Sequence, residues 1–172
     1  MTLMTALPMA DATGPCSGTA FRAFMSHWPT GVSVVTTTDG EQPAGCTANA
    51  VMSVSLEPAL LVVALGTASR TLAAVRDSGR FALNFLTGDQ QHLCRRFATA
   101  SNADRFQQTP YHWRHGVPVL DEVGAATVCR VHDLTECGDH VLVVGAPFWQ
   151  GAGEQANPLV FYQKAYHDLT RR

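Results

Sequence analysis

The apolar positions begin with a helical period. Phe21, Phe24, Met25 and Trp28 fall at i, i+3, i+4 and i+7, one stripe closed by Pro29 and Gly31. The period then shortens to two. Val32 to Thr38 is β-branched and predicts a strand, and Asp39-Gly40 is a hairpin signal. A partner strand is expected through Gly45 to Asn49. From Val51 to Leu56, Met52, Val54 and Leu56 alternate with Val51, Ser53 and Ser55, which predicts both serines on one face. Glu57-Pro58 ends that run, and Ala59 to Leu65 predicts a fully buried strand. Ser69 is a candidate N-cap for a short helix with Leu72 and Val75 inward, ending near Gly79. Phe81 to Leu86 predicts another strand, and Thr87 to Phe97 a helix with Leu93 and Phe97 inward. Residues 98–118 are polar with scattered aromatics and predict an ordered loop or short helical turns. Gly124 to Leu134 and His140 to Trp149 predict two long strands joined by Glu136-Cys137-Gly138-Asp139. Gly151 to Asn157 is expected as a loop, and Leu159 to Tyr162 as a last short strand.

Strands dominate this reading and helices do not alternate with them, which disfavours a doubly wound parallel sheet. The expected fold class is mainly β, an antiparallel barrel or sandwich with short peripheral helices. At 172 residues the chain is sized for one domain, expected over 17–172 behind a flexible leader at 1–16 that lacks a core pattern. Charged residues are only 15%, below the ~25% of ordinary soluble domains. So thin a charge suggests that part of the surface is covered by a second subunit or a cofactor. Twelve basic against 14 acidic residues, a net charge of −2, argue against a nucleic-acid binder or a polybasic membrane binder. Lys164 is the one lysine, which disfavours a lysine nucleophile. No apolar run approaches a membrane span, and no basic residue precedes Arg22 as a signal peptide would require. Cys16, Cys46, Cys94, Cys129 and Cys137 form an odd set without a Cys-x-x-Cys pair, expected to be reduced thiols in the cytoplasm.

The chemistry is suggested by three segments. Gly45 to Ser55 crowds Thr47, Ala48, Asn49, Ser53, Val54 and Ser55 between apolar strands. Such a ledge suits a flat polar heterocycle, or simply a small-residue strand packed under a helix. Ser69-Arg70-Thr71 at a helix start offers free amides, hydroxyls and a guanidinium to a phosphate, or is an ordinary cap beside a solvated arginine. Gly138-Asp139-His140 opens an apolar strand, where an imidazole can bind a carboxamide, move a proton or merely cap a turn. No dinucleotide fingerprint, phosphate loop or nucleophile elbow is present. Cys129-x2-His132-x4-Cys137-x2-His140 has zinc ligand types, but residues three apart on a strand point to opposite faces, so no metal is expected. Nothing in the sequence brings Cys46 and His140 together as a nucleophilic pair.

Taken in order, the segments resemble the flavin reductase-like domain family. These are small reductase components of two-component flavin-dependent monooxygenases, built on the FMN-binding split barrel. The matching elements are Phe24 with Trp28-Pro29-Thr30-Gly31-Val32; Gly45-x-Thr47-Ala48-Asn49 with Ser53-Val54-Ser55; Ser69-x-Thr71; Phe81-Ala82-Leu83-Asn84; Gln91-x-Leu93 with Phe97-Ala98; Asp104-Arg105-Phe106; Gly116-x-Pro118-x-Leu120; Gly138-Asp139-His140; and Gly145, Pro158-Leu159 and Tyr166. They span about residues 20–169. Glu57-Pro58-Ala59 departs from the Asp-Pro-Pro common in the family.

The resemblance implies a Greek-key split barrel and a homodimer with flavin near its interface. It implies reduction of FAD or FMN, taken as substrates, by NADH or less often NADPH, with release of reduced flavin to a separate oxygenase. Thr30, Gly31 and Val32 would border the isoalloxazine. Thr47, Ala48 and Asn49 would meet its polar edge, with Ser53, Val54 and Ser55 along ring and ribityl. Ser69, Arg70 and Thr71 would hold the phosphate, Phe97 would belong to the cofactor-binding set, and His140 would face the nicotinamide. Two alternatives share the fold: a protein holding flavin or haem permanently, as an oxidase or binding protein, and a non-catalytic dimeric barrel.

Overall fold

A computed structural model describes residues 14–153 and 157–169. The elements are α1 (Gly18–Met25), β1 (Thr30–Gly31), β2 (Ser33–Asp39), β3 (Gln42–Ala48), β4 (Val51–Leu56), β5 (Ala59–Gly66), α2 (Arg70–Ser78), β6 (Arg80–Phe85), a 3-10 turn (Gly88–Gln90), α3 (Gln91–Thr99), α4 (Asn102–Gln107), β7 (Tyr111–Arg114), β8 (Val117–Leu120), β9 (Ala125–Cys137), β10 (His140–Ala152), β11 (Leu159–Tyr162) and β12 (Ala165–Asp168). The principal sheet has the order β3-β2-β6-β9-β10-β5-β4, antiparallel throughout. β3 and β4 are its two edges, yet only Asn49 and Ala50 separate them in sequence. A sheet whose opposite edges are joined by so short a link must curl until they meet, which makes it a barrel. The Ala64 amide donates to the Ala50 carbonyl at 3.0 Å and fastens that corner.

Two cores follow from the curl. Inside, Val35, Val63, Leu65, Phe81, Leu83, Val141 and Val143 pack together, and α2 contributes Leu72 and Val75 as a plug. Outside β2, β6 and β9, a second core unites Val34, Ala82, Leu93, Phe97, Phe106, Val119 and Val128 beneath α3, α4 and the β7–β8 hairpin. β6 therefore has both faces covered, and Phe81 to Asn84 are all buried. The Asn84 amide is satisfied there: Nδ2 donates to the Val34 carbonyl and to Thr36 Oγ1, each at 3.0 Å, and Oδ1 accepts from the Leu120 amide at 2.9 Å.

Most expected elements are present, with informative departures. The apolar stripe of α1 is not core: Phe24 is 70% and Trp28 67% exposed. A bulge at Val54 sets Ser53 opposite Leu61 but Ser55 opposite Leu60. Consecutive residues of β5 face opposite ways, so the two serines do not share a face. β5 is not fully buried, because beyond β10 it has only the edge strand β4 beside it, and its outer face is open. Residues 98–118 contain α4 and most of the β7–β8 hairpin. That hairpin turns on His115 and Gly116, both at positive φ. β10 continues to Ala152, into the segment expected to be loop; of that segment, residues 154–156 lie outside the described residues, as do residues 1–13 of the expected leader. No described helix is long and apolar enough to cross a membrane.

Candidate functional site

Two grooves meet where β1, the β3–β4 corner and β4 converge. The larger, about 900 Å³, is walled by Arg22, Met25 and Trp28 and floored by Val62 and Ala64 of β5 and Leu142 of β10. The smaller, about 500 Å³, follows Pro29 to Ser33, Ser53, Phe85 and Leu159. Trp28, Thr30, Asn49, Val51 and Met52 line both, so the grooves form one cleft. Its surface is mainly apolar, with polar groups gathered at the junction. There Asn49 Nδ2 donates to Thr30 Oγ1 at 3.3 Å, a long bond between exposed groups. The Ser53 hydroxyl has no partner among the described residues.

The start of α2 is built against the same ledge. Ser69 occupies the N-cap position, but its hydroxyl does not cap the helix. The Cys46 thiol of β3 lies close to Ser69 and Thr71. Burial pushes that thiol up from its ordinary range, opposed by the Thr71 hydrogen bond, the Arg105 charge and the Ser69 hydrogen bond. The first-turn amides of α2 thus lack a side-chain cap, and Arg70 beside them is exposed, with no carboxylate within ion-pair distance among the described residues. This combination suits an anion.

His140 follows the Gly138-Asp139 turn, where Gly138 takes φ +64°. In the ladder His140 pairs with Gly66 and Leu142 with Ala64. Leu142 floors the larger groove, so His140 stands on the same sheet face one repeat further along. Asp139 Oδ1 lies 2.7 Å from His140 Nδ1, and this hydrogen bond, with the histidine's charge, holds the Asp139 carboxyl below the usual carboxylate range. The Thr67 amide and hydroxyl donate to the Asp139 carbonyl at 3.0 and 3.2 Å. The histidine turn is thereby clipped to the loop that leads into Ser69.

Thr30, Gly31, Val32, Asn49 and Ser53 line the cleft. The other expected residues are less available. Thr47 Oγ1 donates to the Cys94 carbonyl at 2.6 Å and serves to fasten α3 to β3. Ala48 and Thr71 are buried. Phe97 is wholly buried, edge-on to Phe106 at 5.0 Å, so it is a core residue with no surface to offer a ligand. Val54 is exposed at the bulge, and Ser55 lies on the opposite face from Ser53. Cys129 is buried while His132 is exposed, on opposite faces of β9. Sequence reasoning missed Arg22, Phe161 and Lys164 in the larger groove. Lys164 sits in a two-residue turn with Gln163, both at positive φ, which no glycine or asparagine announces. The open residues fit a flat heterocycle, with an apolar trough and an amide and two hydroxyls at one edge, while Ser69, Arg70 and Thr71 line neither groove.

Residues 25–170 match the family model described as flavin reductase like domain. A flavin reductase (NADH) of Kitasatospora aureofaciens is 39% identical over 168 residues, 93% of this chain and 86% of that protein. The reductase component of a 4-nitrophenol 4-monooxygenase/4-nitrocatechol 2-monooxygenase of Rhodococcus opacus is 36% identical over 149 residues, 87% of this chain and 80% of that protein. The solved structure of the NADH:FAD oxidoreductase SgcE6 of Streptomyces globisporus C-1027, in complex with NAD and FAD fragments, is similar with a TM-score of 0.86 at 28% identity, covering 94% of this chain and 98% of that chain.

Proposed function

The chain belongs to the flavin reductase-like domain family, and from that premise we propose that it is an NADH-dependent flavin reductase that reduces FAD or FMN and releases the reduced flavin to a separate flavin-dependent oxygenase. The observation that carries this reading is the single cleft that gathers Thr30, Asn49 and Ser53 beside apolar walls.

When bound, the flavin supplies the redox chemistry by accepting a hydride from the reduced nicotinamide. The protein's task is positioning. Trp28, Val51 and Met52 give the rings an apolar bed that excludes water. Thr30 and Asn49 hold the polar edge, and Ser53 offers its free hydroxyl. The α2 first-turn amides and Arg70 take the phosphate. His140, with its Nδ1 side turned to Asp139, presents the other ring nitrogen to the nicotinamide carboxamide. No protein nucleophile is needed.

The apolar face made by α1 and β4 supports a homodimer. Phe24 at 70%, Trp28 at 67%, Met52 at 62% and Leu56 at 93% exposure form a surface that a lone chain would leave in water. A second copy on that face would wall the cleft. Five unbonded cysteines suit a cytoplasmic setting. Flavin titrations test the site: Asn49→Ala and Ser53→Ala should weaken FMN binding while the fold persists, and undiminished binding in both would remove the cleft from the mechanism.

A further inference from the structure

A second polar cluster lies on the outer face of the barrel, away from the cleft, where the β7–β8 hairpin lies beside β6, β9 and β10. Arg80 and Arg130 are directly paired across β6 and β9, an arrangement of like charges that costs stability unless something compensates. Neither has a carboxylate within ion-pair distance among the described residues, and neither has Arg114. The Arg130 guanidinium lies over the Phe148 ring at 4.7 Å, and that of Arg114 over Trp149 at 5.1 Å. His115 meets Phe148 edge-on at 5.1 Å, and its carbonyl accepts from Arg80 Nη1 at 3.1 Å. Among the described residues Asp121 is the acid joined to this cluster, and His112 engages it at 2.7 Å. Trp113 and Phe148 are exposed in the same area.

Stacking fixes guanidiniums in place while leaving their donor edges free for oxygen acceptors. In a chain of net charge −2, three arginines without a carboxylate partner among the described residues, beside exposed aromatics, make a local positive patch. Arginine and tryptophan are also the residues that dominate protein–protein contacts. None of the patch residues lines the cleft, and none belongs to the α1–β4 face. The patch would therefore stay open with a second copy seated on that face. We propose that this arginine–aromatic face docks an acidic surface of the oxygenase that receives the reduced flavin, an assignment that rests on the function proposed above.

The probe is oligo-glutamate, with binding followed by tryptophan fluorescence at rising salt. The wild-type protein should bind it, more weakly as salt is raised. Arg80→Glu/Arg130→Glu, and separately Arg114→Ala, should weaken binding about tenfold or more, the scale of one interface hot spot. Equal binding by wild type and variants, no binding at all, or displacement by an equal charge of pyrophosphate would overturn the docking surface. So would loss of self-association in the variants, which would assign the patch to contact between copies. Flavin reduction by the same samples should be unchanged, which also certifies their fold. A wild-type protein that binds oligo-glutamate at the patch but reduces no flavin would remove the oxygenase as the occupant and leave the acidic docking surface standing.

Discussion

Gly45→Ala adds one methyl group where β3 packs closely against β2 and α3. An added Cβ would stand 2.7 Å from the Val35 carbonyl oxygen, 3.2 Å from Thr36 Cγ2 and 3.3 Å from Phe97 Cε1. The first of these is backbone and cannot rotate away. β3 cannot retreat freely either, because Arg105 Nη1 donates to the Gly45 carbonyl at 2.6 Å and Asn102 Nδ2 to the Pro43 carbonyl at 2.9 Å. Thr47 is tied to Cys94 on the same strand. Overpacking of this kind costs about 1–3 kcal/mol, offset by about 0.4–1 kcal/mol from the stiffer unfolded chain. Measured against a second Gly→Ala variant that shares the offset, the penalty corresponds, at about 2–4 °C per kcal/mol for a chain of this size, to a fall in Tm of roughly 2–12 °C. A displaced β3 also carries Asn49 with it, so the KM for flavin should rise severalfold. Gly66→Ala is the control, since nothing lies within 4 Å of its added Cβ. Thermal melts and flavin titrations of both variants decide the matter. A Gly45→Ala protein that melts with Gly66→Ala and binds flavin normally would refute the reasoning.

Other consequences can be measured separately. His140→Ala should raise the KM for NADH more than it lowers kcat, and an unchanged KM would count against its orienting role. Because the His140 hydrogen bond depresses the Asp139 carboxyl, its contribution is present above the unfolded carboxylate pKa and is lost as pH falls through the lower folded value; Asp139→Asn should erase that acid-side dependence in a pH series of melts. The hydrogen bond between the Cys94 thiol and the Tyr166 hydroxyl, with burial, pushes the phenol up to about 12, so its contribution holds below the unfolded value near 10 and fades as pH approaches 12. Cys94→Ala should return the phenolate absorbance step toward ordinary alkalinity. Exposed Cys16 and Cys137 should react with a thiol reagent far faster than buried Cys94 and Cys129, the latter's thiol being pushed by burial up to about 12. Trp28→Glu with Met52→Glu should convert any self-associated species to monomer in sedimentation, by placing carboxylates on the apolar face.

The strands were legible because period-two patterns and turn residues act locally. Asp39-Gly40 and Gly138-Asp139 mark hairpins, and Gly79 closes α2 at φ +65°. The bulge at Val54 was not legible, since Val51 to Leu56 alternates without a glycine to mark the slip. The β7–β8 hairpin was hidden by His115 at the first turn position and Pro118 within the strand. At the site, residue type pointed to Asn49 and Ser53 and the family resemblance to Thr30, and all three face the cleft. The helical pattern placed Phe97 inward, as it lies, whereas the resemblance put it in the cofactor set; Thr71 is buried and Thr47 is tied to Cys94, which depends on how α2 and α3 pack on β3. The exposed stripe of α1 shows why: an amphipathic pattern says that a face will be covered, not whether the same chain covers it.

The most direct measurement is NADH consumption by the purified protein with FAD, FMN and riboflavin added in turn. The account predicts turnover that depends on added flavin, and free flavin that separates from the protein on gel filtration. No turnover with any of the three, or a flavin that stays bound through purification and is reduced in place, would contradict it.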